Sequence, residues 1–270
     1  MVFVCGRFTL KNLLRTPFAR NEAWLLGVCR YRDFVYTYDL STELKEAEAL
    51  EGSHDWRRDR WRYWGSKFHR IMTSKEPGAA PDDDELLRES EAYTVILRSK
   101  LGSHSIVLGA EVKAVDPSVE CEPGSTASYV EFKVTRDQGG STDERRDSFK
   151  RHALLAWWAQ CRLAGVPRAL CGYRNEHGIL VNIEDIDVND MPKMAEGMWS
   201  EGKCMLFCDR LLSFIKQHVK VDDGRTVYLF EYMPRSQEIV CKRLRDPGET
   251  YKPWGSLPEV FEGCGSVQTS

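Results

Sequence analysis

The chain has 270 residues, 42% hydrophobic content and a formal net charge of −3. That length supports one large mixed domain with a sizeable core, and the near-neutral charge excludes a globally basic protein, so any nucleic-acid site has to be a local groove. Nine cysteines without a CxxC pair argue against a disulfide framework, and no signal peptide or membrane-length apolar run stands out, so an intracellular, reducing setting is expected.

In chain order, residues 24–40 (WLLGVCRYRDFVYTYDL) read as two β segments turning at Arg32-Asp33. Residues 42–51 are acidic with little periodicity. From Asp55 to Met72, Trp61, Trp64, Phe68 and Ile71 recur at helical spacing and predict an amphipathic helix. The turn-rich stretch 74–85 follows, then two strands within 92–116 joined near Gly102. A Pro- and Gly-containing loop leads to a strand at 129–135, and residues 136–146 form a polar loop. A helix is predicted over Ser148–Ala164, stopped by Gly165 and Pro167. Strands follow at 168–174 and 179–184, a helix at 203–219, and a strand pair at 225–233 and 237–244. The tail from Asp246 is Gly/Pro-rich and is expected to fray after Glu262. With no repeat or linker, residues 1–270 read as a single α+β domain, with mixed β-sheets flanked by helices.

Two strand-like segments carry the chemistry: GAEVKAV (109–115) and YVEFKV (129–134). Side chains alternate along a strand, so Glu111 and Lys113 share one face, as do Glu131 and Lys133. An E-x-K pair is the arrangement nucleases use to hold a divalent ion and steer a phosphate. The first segment has a lysine where a second acid is wanted, and the four residues together are formally neutral. On their own, Glu111 and Lys113 could equally be an exposed, salt-bridged strand face. The arginine clusters 57–62 and 145–151 read as solvated helix faces, Trp157 and Trp158 as core, and Cys204 and Cys208 as buried thiols rather than metal ligands.

Five segments in order add to this reading: FVCGRFTLKNLLRTP (3–17), GSKFH (65–69), LRSKLGSH (97–104), the GAEVKAV/YVEFKV pair, and LLAWWAQCRLAGVPRALCGYRN (154–175). Together, from about Phe3 to Trp254, the chain resembles the RNA decapping nuclease family, abbreviated DXO. That family removes faulty or non-canonical 5′ caps, including NAD caps, and many members degrade RNA from the 5′ end. The resemblance implies the decapping-nuclease fold, a Mg2+ or Mn2+ cofactor, RNA 5′ ends as substrate without DNA or membrane, and a nuclear setting. Fungal relatives bind a 5′–3′ exoribonuclease, which implies a similar partner.

Carried over residue by residue, the family's first-motif arginine falls on Arg7 and its helical G-x-x-x-E places His69 at the glutamate. Its E-x-D strand becomes Glu111 and Lys113, its E-x-K strand is intact as Glu131, Phe132 and Lys133, and its glutamine near the scissile phosphate is Gln160. The implied catalytic set is Glu111, Glu131, Lys133 and Gln160. The implied metal ligands are Glu111, Glu131, the Phe132 backbone carbonyl and His69, and the implied RNA-binding set is Arg7, Lys113, Lys133 and Gln160. The family also has a sizeable segment before its first motif, whereas this chain begins almost at that motif, so this segment is expected to be absent.

Two of four acidic positions are thus replaced. Magnesium takes hard oxygen ligands, one or two carboxylates with substrate phosphate. Two unit charges about 4 Å apart interact by roughly 4 kcal/mol at an effective dielectric of ~20, and a divalent ion doubles that, so an ammonium at the centre of the site opposes the metal strongly. The reading is an RNA 5′-end-binding protein, weak or inactive as a hydrolase. Its rivals are a working metal-dependent decapping nuclease and a scaffold for protein partners.

Overall fold

The computed structural model describes residues 1–40, 56–81, 92–137, 139 and 142–244. The acidic stretch 42–51, part of the loop 74–85, residues 138, 140 and 141, and the tail from 246 lie outside them. Among the described residues the chain forms two compact units, one drawn from the ranges Met1–Gly52, Leu97–Leu108 and Gly202–Ser270, the other from Ser53–Ile96 and Gly109–Glu201. No helix among the described residues is long and apolar enough to cross a membrane.

The first unit opens with β1 (Val2–Gly6) and α1 (Arg7–Arg15), neither anticipated from the sequence. The hairpin β2 (Trp24–Tyr31) and β3 (Phe34–Asp39) turns at Arg32 and Asp33, both at positive φ. Such a turn matches the right-handed twist of its strands. β4 (Tyr93–Leu101) and β5 (His104–Val112) follow, with Gly102 at φ 55 between them; Tyr93–Ile96 and Gly109–Val112 of these strands belong to the second unit. With β10 (Val227–Met233) and β11 (Glu238–Leu244) these strands form a seven-stranded sheet in the order β11-β10-β2-β3-β1-β5-β4. β1 runs parallel to β3, while β2/β3, β10/β2 and β10/β11 are antiparallel. A long helix, Glu201–His218, buries Cys204, Cys208, Leu211, Leu212 and Ile215. Its two cysteines are core residues, and burial pushes the Cys208 thiol well above the usual thiol range.

His104 is a buried polar residue in this unit. Its Nε2 lies 3.0 Å from Ser213 Oγ and 3.1 Å from the Asp209 carbonyl, and Phe3 meets its ring edge-on. Burial, with Lys216 nearby, holds its pKa below 6.5, and Asp209 only partly offsets this. The folded protein therefore binds that proton less readily than the unfolded chain does. The resulting stability is present above pH 6.5 and is lost as pH falls below it towards the folded value. Urea denaturation at about pH 7.5 and about pH 5.5 should show lower stability at the acid end, and His104→Gln should reduce that difference.

The second unit is built on a four-stranded sheet. Its strands are β6 (Ala114–Val115), β7 (Tyr129–Arg136), β8 (Arg168–Arg174) and β9 (Leu180–Asp187), in sequence order. β7 and β8 are parallel and the other pairs antiparallel. The predicted helix over 55–72 is α2 (Trp56–Ile71). Its Phe68 sits beside Gly172 of β8, where a Cβ would come within 2.8 Å of both the Phe68 ring and Leu180. Only glycine lets this helix lie that close to the strand.

The helix expected from Ser148 starts earlier and is not uniform. It runs as α3 (Asp143–Ser148), a π-helical turn (Phe149–Leu154) and α4 (Leu155–Arg162). Asp143 and Glu144 occupy its first turn, where negative charge favours a helix start. Within the π turn, the Lys150 carbonyl accepts a hydrogen bond from Trp199 Nε1 at 3.0 Å. After α4, Gly165 adopts φ 67 and the Val166 N–H bonds the Cys161 carbonyl at 3.1 Å, the left-handed stop predicted from the sequence. A short α5 (Met191–Met194) and the buried Trp199, whose ring centroid lies 5.3 Å from that of Trp158, complete this core.

Candidate functional site

Alternation along β7 puts Glu131 and Lys133 on one face and Phe132 on the other. The parallel neighbour β8 sets Ala169 beside Glu131 and Cys171 beside Lys133, and β9 sets Glu184 beside Cys171. Helix α4 contributes Gln160, whose Oε1 accepts a hydrogen bond from Lys133 Nζ at 2.6 Å. Glu131 is only 2% exposed. Its Oε1 accepts from the Phe132 N–H at 3.2 Å and lies 3.7 Å from Lys133 Nζ. A carboxylate this deep requires its counter-charge, because losing one partner of a buried pair leaves an uncompensated ion.

The predicted strand 109–115 is interrupted at Lys113. The chain leaves the seven-stranded sheet after Val112 and joins the four-stranded one at Ala114, which pairs with Val130. Extending that antiparallel register by one residue sets Lys113 across from Glu131. The Lys113 ammonium forms an ion pair with Glu111, and its backbone carbonyl lies 2.7 Å from His69 Nε2. A carbonyl only accepts, so Nε2 carries the proton and its lone pair is not offered to a metal. The His69 ring lies 5.2 Å from that of Phe132, and Phe68 meets Phe132 edge-on.

Glu111, Lys113, Glu131, Phe132, Lys133, Gln160 and His69 thus all belong to the second unit and are linked by these contacts. Arg7 belongs to the first unit, where it opens α1 and is 3% exposed. Asp116 accepts from Arg168 at 2.8 Å, and hydrogen bonds from Ser118 hold its carboxyl below the usual range. It is committed to that pair and does not substitute for a missing site acid.

Three residues of this face were missed: Cys171, Tyr173 and Glu184. Tyr173 OH donates to Glu184 Oε2 at 2.6 Å. Burial pushes the Cys171 thiol up to about 12, a rise to which Glu184 adds and which Lys133 opposes. That thiol stays protonated and is no nucleophile. Strand parity in RALCGYR groups Cys171 with Tyr173, but placing them and Glu184 on this face takes the β7–β8–β9 register.

Two of the sequence-predicted ligands are compromised for a divalent ion: Glu111 is engaged by Lys113, and His69 Nε2 by a carbonyl. Glu131 and Lys133 keep the E-x-K arrangement, with Glu131 Oε1 3.7 Å from Lys133 Nζ. Among the described residues no three His, Cys, Asp or Glu side chains gather as a metal site.

The profile of the RAI1-like PD-(D/E)XK nuclease family matches residues 1–261. This chain belongs to that family. The decapping and exoribonuclease protein of Mus musculus is 35% identical over 256 residues, and that of Bos taurus 32% identical over 254. Each alignment covers 93% of this chain and 63% of the relative, so the chain spans under two thirds of the length of these RAI1-like proteins. Candida albicans Rai1, solved in complex with pU5-Mn2+, superimposes with a TM-score of 0.84 at 18% identity, over 98% of this chain and 76% of that one. At that identity the match establishes the fold, which is the decapping-nuclease architecture.

Proposed function

We propose that this RAI1-like protein binds the 5′ end of RNA through Lys113, Lys133 and Gln160, and that it hydrolyses RNA weakly or not at all. The observation that carries this reading is the Lys113 ammonium on the Glu111 carboxylate. Where the family resemblance calls for an acid, the chain has a cation satisfying the neighbouring acid. A terminal phosphate would accept from Lys113 and from Lys133, and Gln160 would turn its amide N–H2 to the same group while its oxygen stays on Lys133. Relatives named as decapping and exoribonuclease proteins, and the pU5-Mn2+ complex of the Candida protein, support RNA as the ligand class.

Binding should therefore be metal-independent. In the presence of a chelator, 5′-phosphorylated RNA should bind more tightly than the same sequence with a 5′-hydroxyl. Lys113→Gln should remove roughly ten-fold or more of that preference, since hydrogen bonds to charged groups contribute about 1.5–3 kcal/mol. Equal affinity for the two RNAs would sink the 5′-end reading and leave a protein-binding scaffold. Cleavage of the phosphorylated RNA by the unmodified protein with millimolar Mn2+ would restore the working-nuclease reading.

A further inference from the structure

The same unit has a cleft whose lining includes none of Glu111, Lys113, Glu131, Lys133 and Gln160. This cleft has a volume of about 250 Å3 and is formed by the N-terminal part of α2 with the ends of β7 and β8. Trp56, Trp61 and Trp64 line it together with Arg57, Arg60 and Arg174. The Arg174 guanidinium lies 3.9 Å from the centroid of the Trp64 ring, and that of Arg60 lies 4.7 Å from it. Trp64 is held in place from below by Gly178, at φ 86, where any Cβ would collide with the indole within about 2.2 Å. Trp56 and Trp61, by contrast, are each 59% exposed.

Among the described residues the electrostatics are one-sided. Arg136 also lines the cleft, and Glu176, which pairs with Arg136, is the acidic residue lining it. Burial first, then Arg136 and Arg60, lowers the Arg174 pKa, so these guanidinium groups feel each other's charge. Glu176 answers Arg136, and an entering anion would relieve the repulsion that Arg60 and Arg174 feel. An acidic peptide would answer the arginines alone, whereas exposed indoles beside them match a ligand with both a planar ring and a phosphate.

We propose that this cleft is a subsite for single-stranded RNA, with a base stacked on Trp56 or Trp61 and its phosphate held by Arg57, Arg60 and Arg174. The proposal deepens the RNA reading above, because it gives the strand a contact beyond its 5′ end. Arg136 and Lys133 lie three residues apart on β7, about 10 Å at a strand rise of ~3.3 Å, and on opposite faces. The two sites are therefore separable by mutation.

The test compares two ligands on the full chain, without metal: a 5′-phosphorylated dinucleotide and a single-stranded RNA of roughly eight nucleotides. At least one of Trp56→Ala and Trp61→Ala should weaken the longer RNA by about 5- to 100-fold, and both should leave the dinucleotide unchanged. Arg60→Gln should lower the slope of log affinity against log salt by about one for the longer RNA. Circular dichroism should show all variants folded, as expected for exposed side chains. Unchanged affinity for the longer RNA in both tryptophan variants overturns the subsite and leaves the 5′-end reading standing. Tryptophan-dependent binding of the longer RNA with no dinucleotide binding keeps the subsite and overturns the 5′-end reading. A polyglutamate peptide that binds in a Trp61-dependent manner where the RNA does not would overturn both.

Discussion

The double variant His69→Glu, Lys113→Asp is expected to gain Mn2+-dependent release of nucleotide from 5′-end-labelled RNA. In the natural chain Glu111 and Glu131 face Lys113 and Lys133, and the four charges cancel. The double change leaves four carboxylates against one ammonium, a formal charge of −3. Lys113→Asp also removes the ion pair that occupies Glu111. His69→Glu puts an acceptor where a donor now meets the Lys113 backbone carbonyl at 2.7 Å. Two acceptors at that spacing repel unless a cation lies between them, so metal binding and folding become coupled in the variant. Its thermal stability should therefore rise with added Mn2+, whereas that of the natural protein should not. Lys113→Asp alone should gain less activity, since His69 Nε2 would still be tied to the carbonyl. A double variant that takes up Mn2+ without cleaving would show that substrate placement is also lost, and would favour the scaffold reading.

Trp158→Ala is expected to be the most destabilising single change near the site. Trp158 is fully buried, packs against Trp199, and sits two residues before Gln160 on α4. Truncating a buried tryptophan costs about 3–5 kcal/mol, a large share of the roughly 5–15 kcal/mol that holds a typical domain together. Its indole N–H makes no hydrogen bond. Trp158→Phe keeps most of the aromatic volume and discards that unmatched donor, so it should cost less than Trp158→Ala. Urea denaturation followed by far-UV circular dichroism should rank the natural chain first, Trp158→Phe second and Trp158→Ala last. A loss below about 1 kcal/mol for Trp158→Ala would mean that the helix bearing Gln160 is held by other contacts.

Much of the local structure was legible because it rests on short-range rules. The Arg32-Asp33 turn, the Gly165 stop and the α2 periodicity each depend on residues within a few positions of one another. The start of the long helix was less so. Residues 136–146 look like a polar loop, yet Asp143 and Glu144 begin the helix from which α4 continues. Strand β1 and helix α1 were missed because β1 is short and reads as strand only once β3 pairs with it. On the site, parity alone put Glu131 with Lys133, but Cys171, Tyr173 and Glu184 join that face through the pairing of β7, β8 and β9.

By itself, the sequence determined the family, the intact E-x-K strand and the substitution of two acidic positions, since each is a matter of residue type at a fixed spacing. Tertiary structure decided what those residues do to one another. It turned Lys113 from an intruder in a strand into the residue at which the chain changes sheets, with its ammonium on Glu111 and its carbonyl on His69. It also brought arginines from α2, β7 and β8 around a set of indoles, although residues 57 and 174 are remote in sequence. The reason is physical: spacing specifies which face a side chain takes, whereas its charge partners come from strand register and helix packing, which only the assembled chain defines.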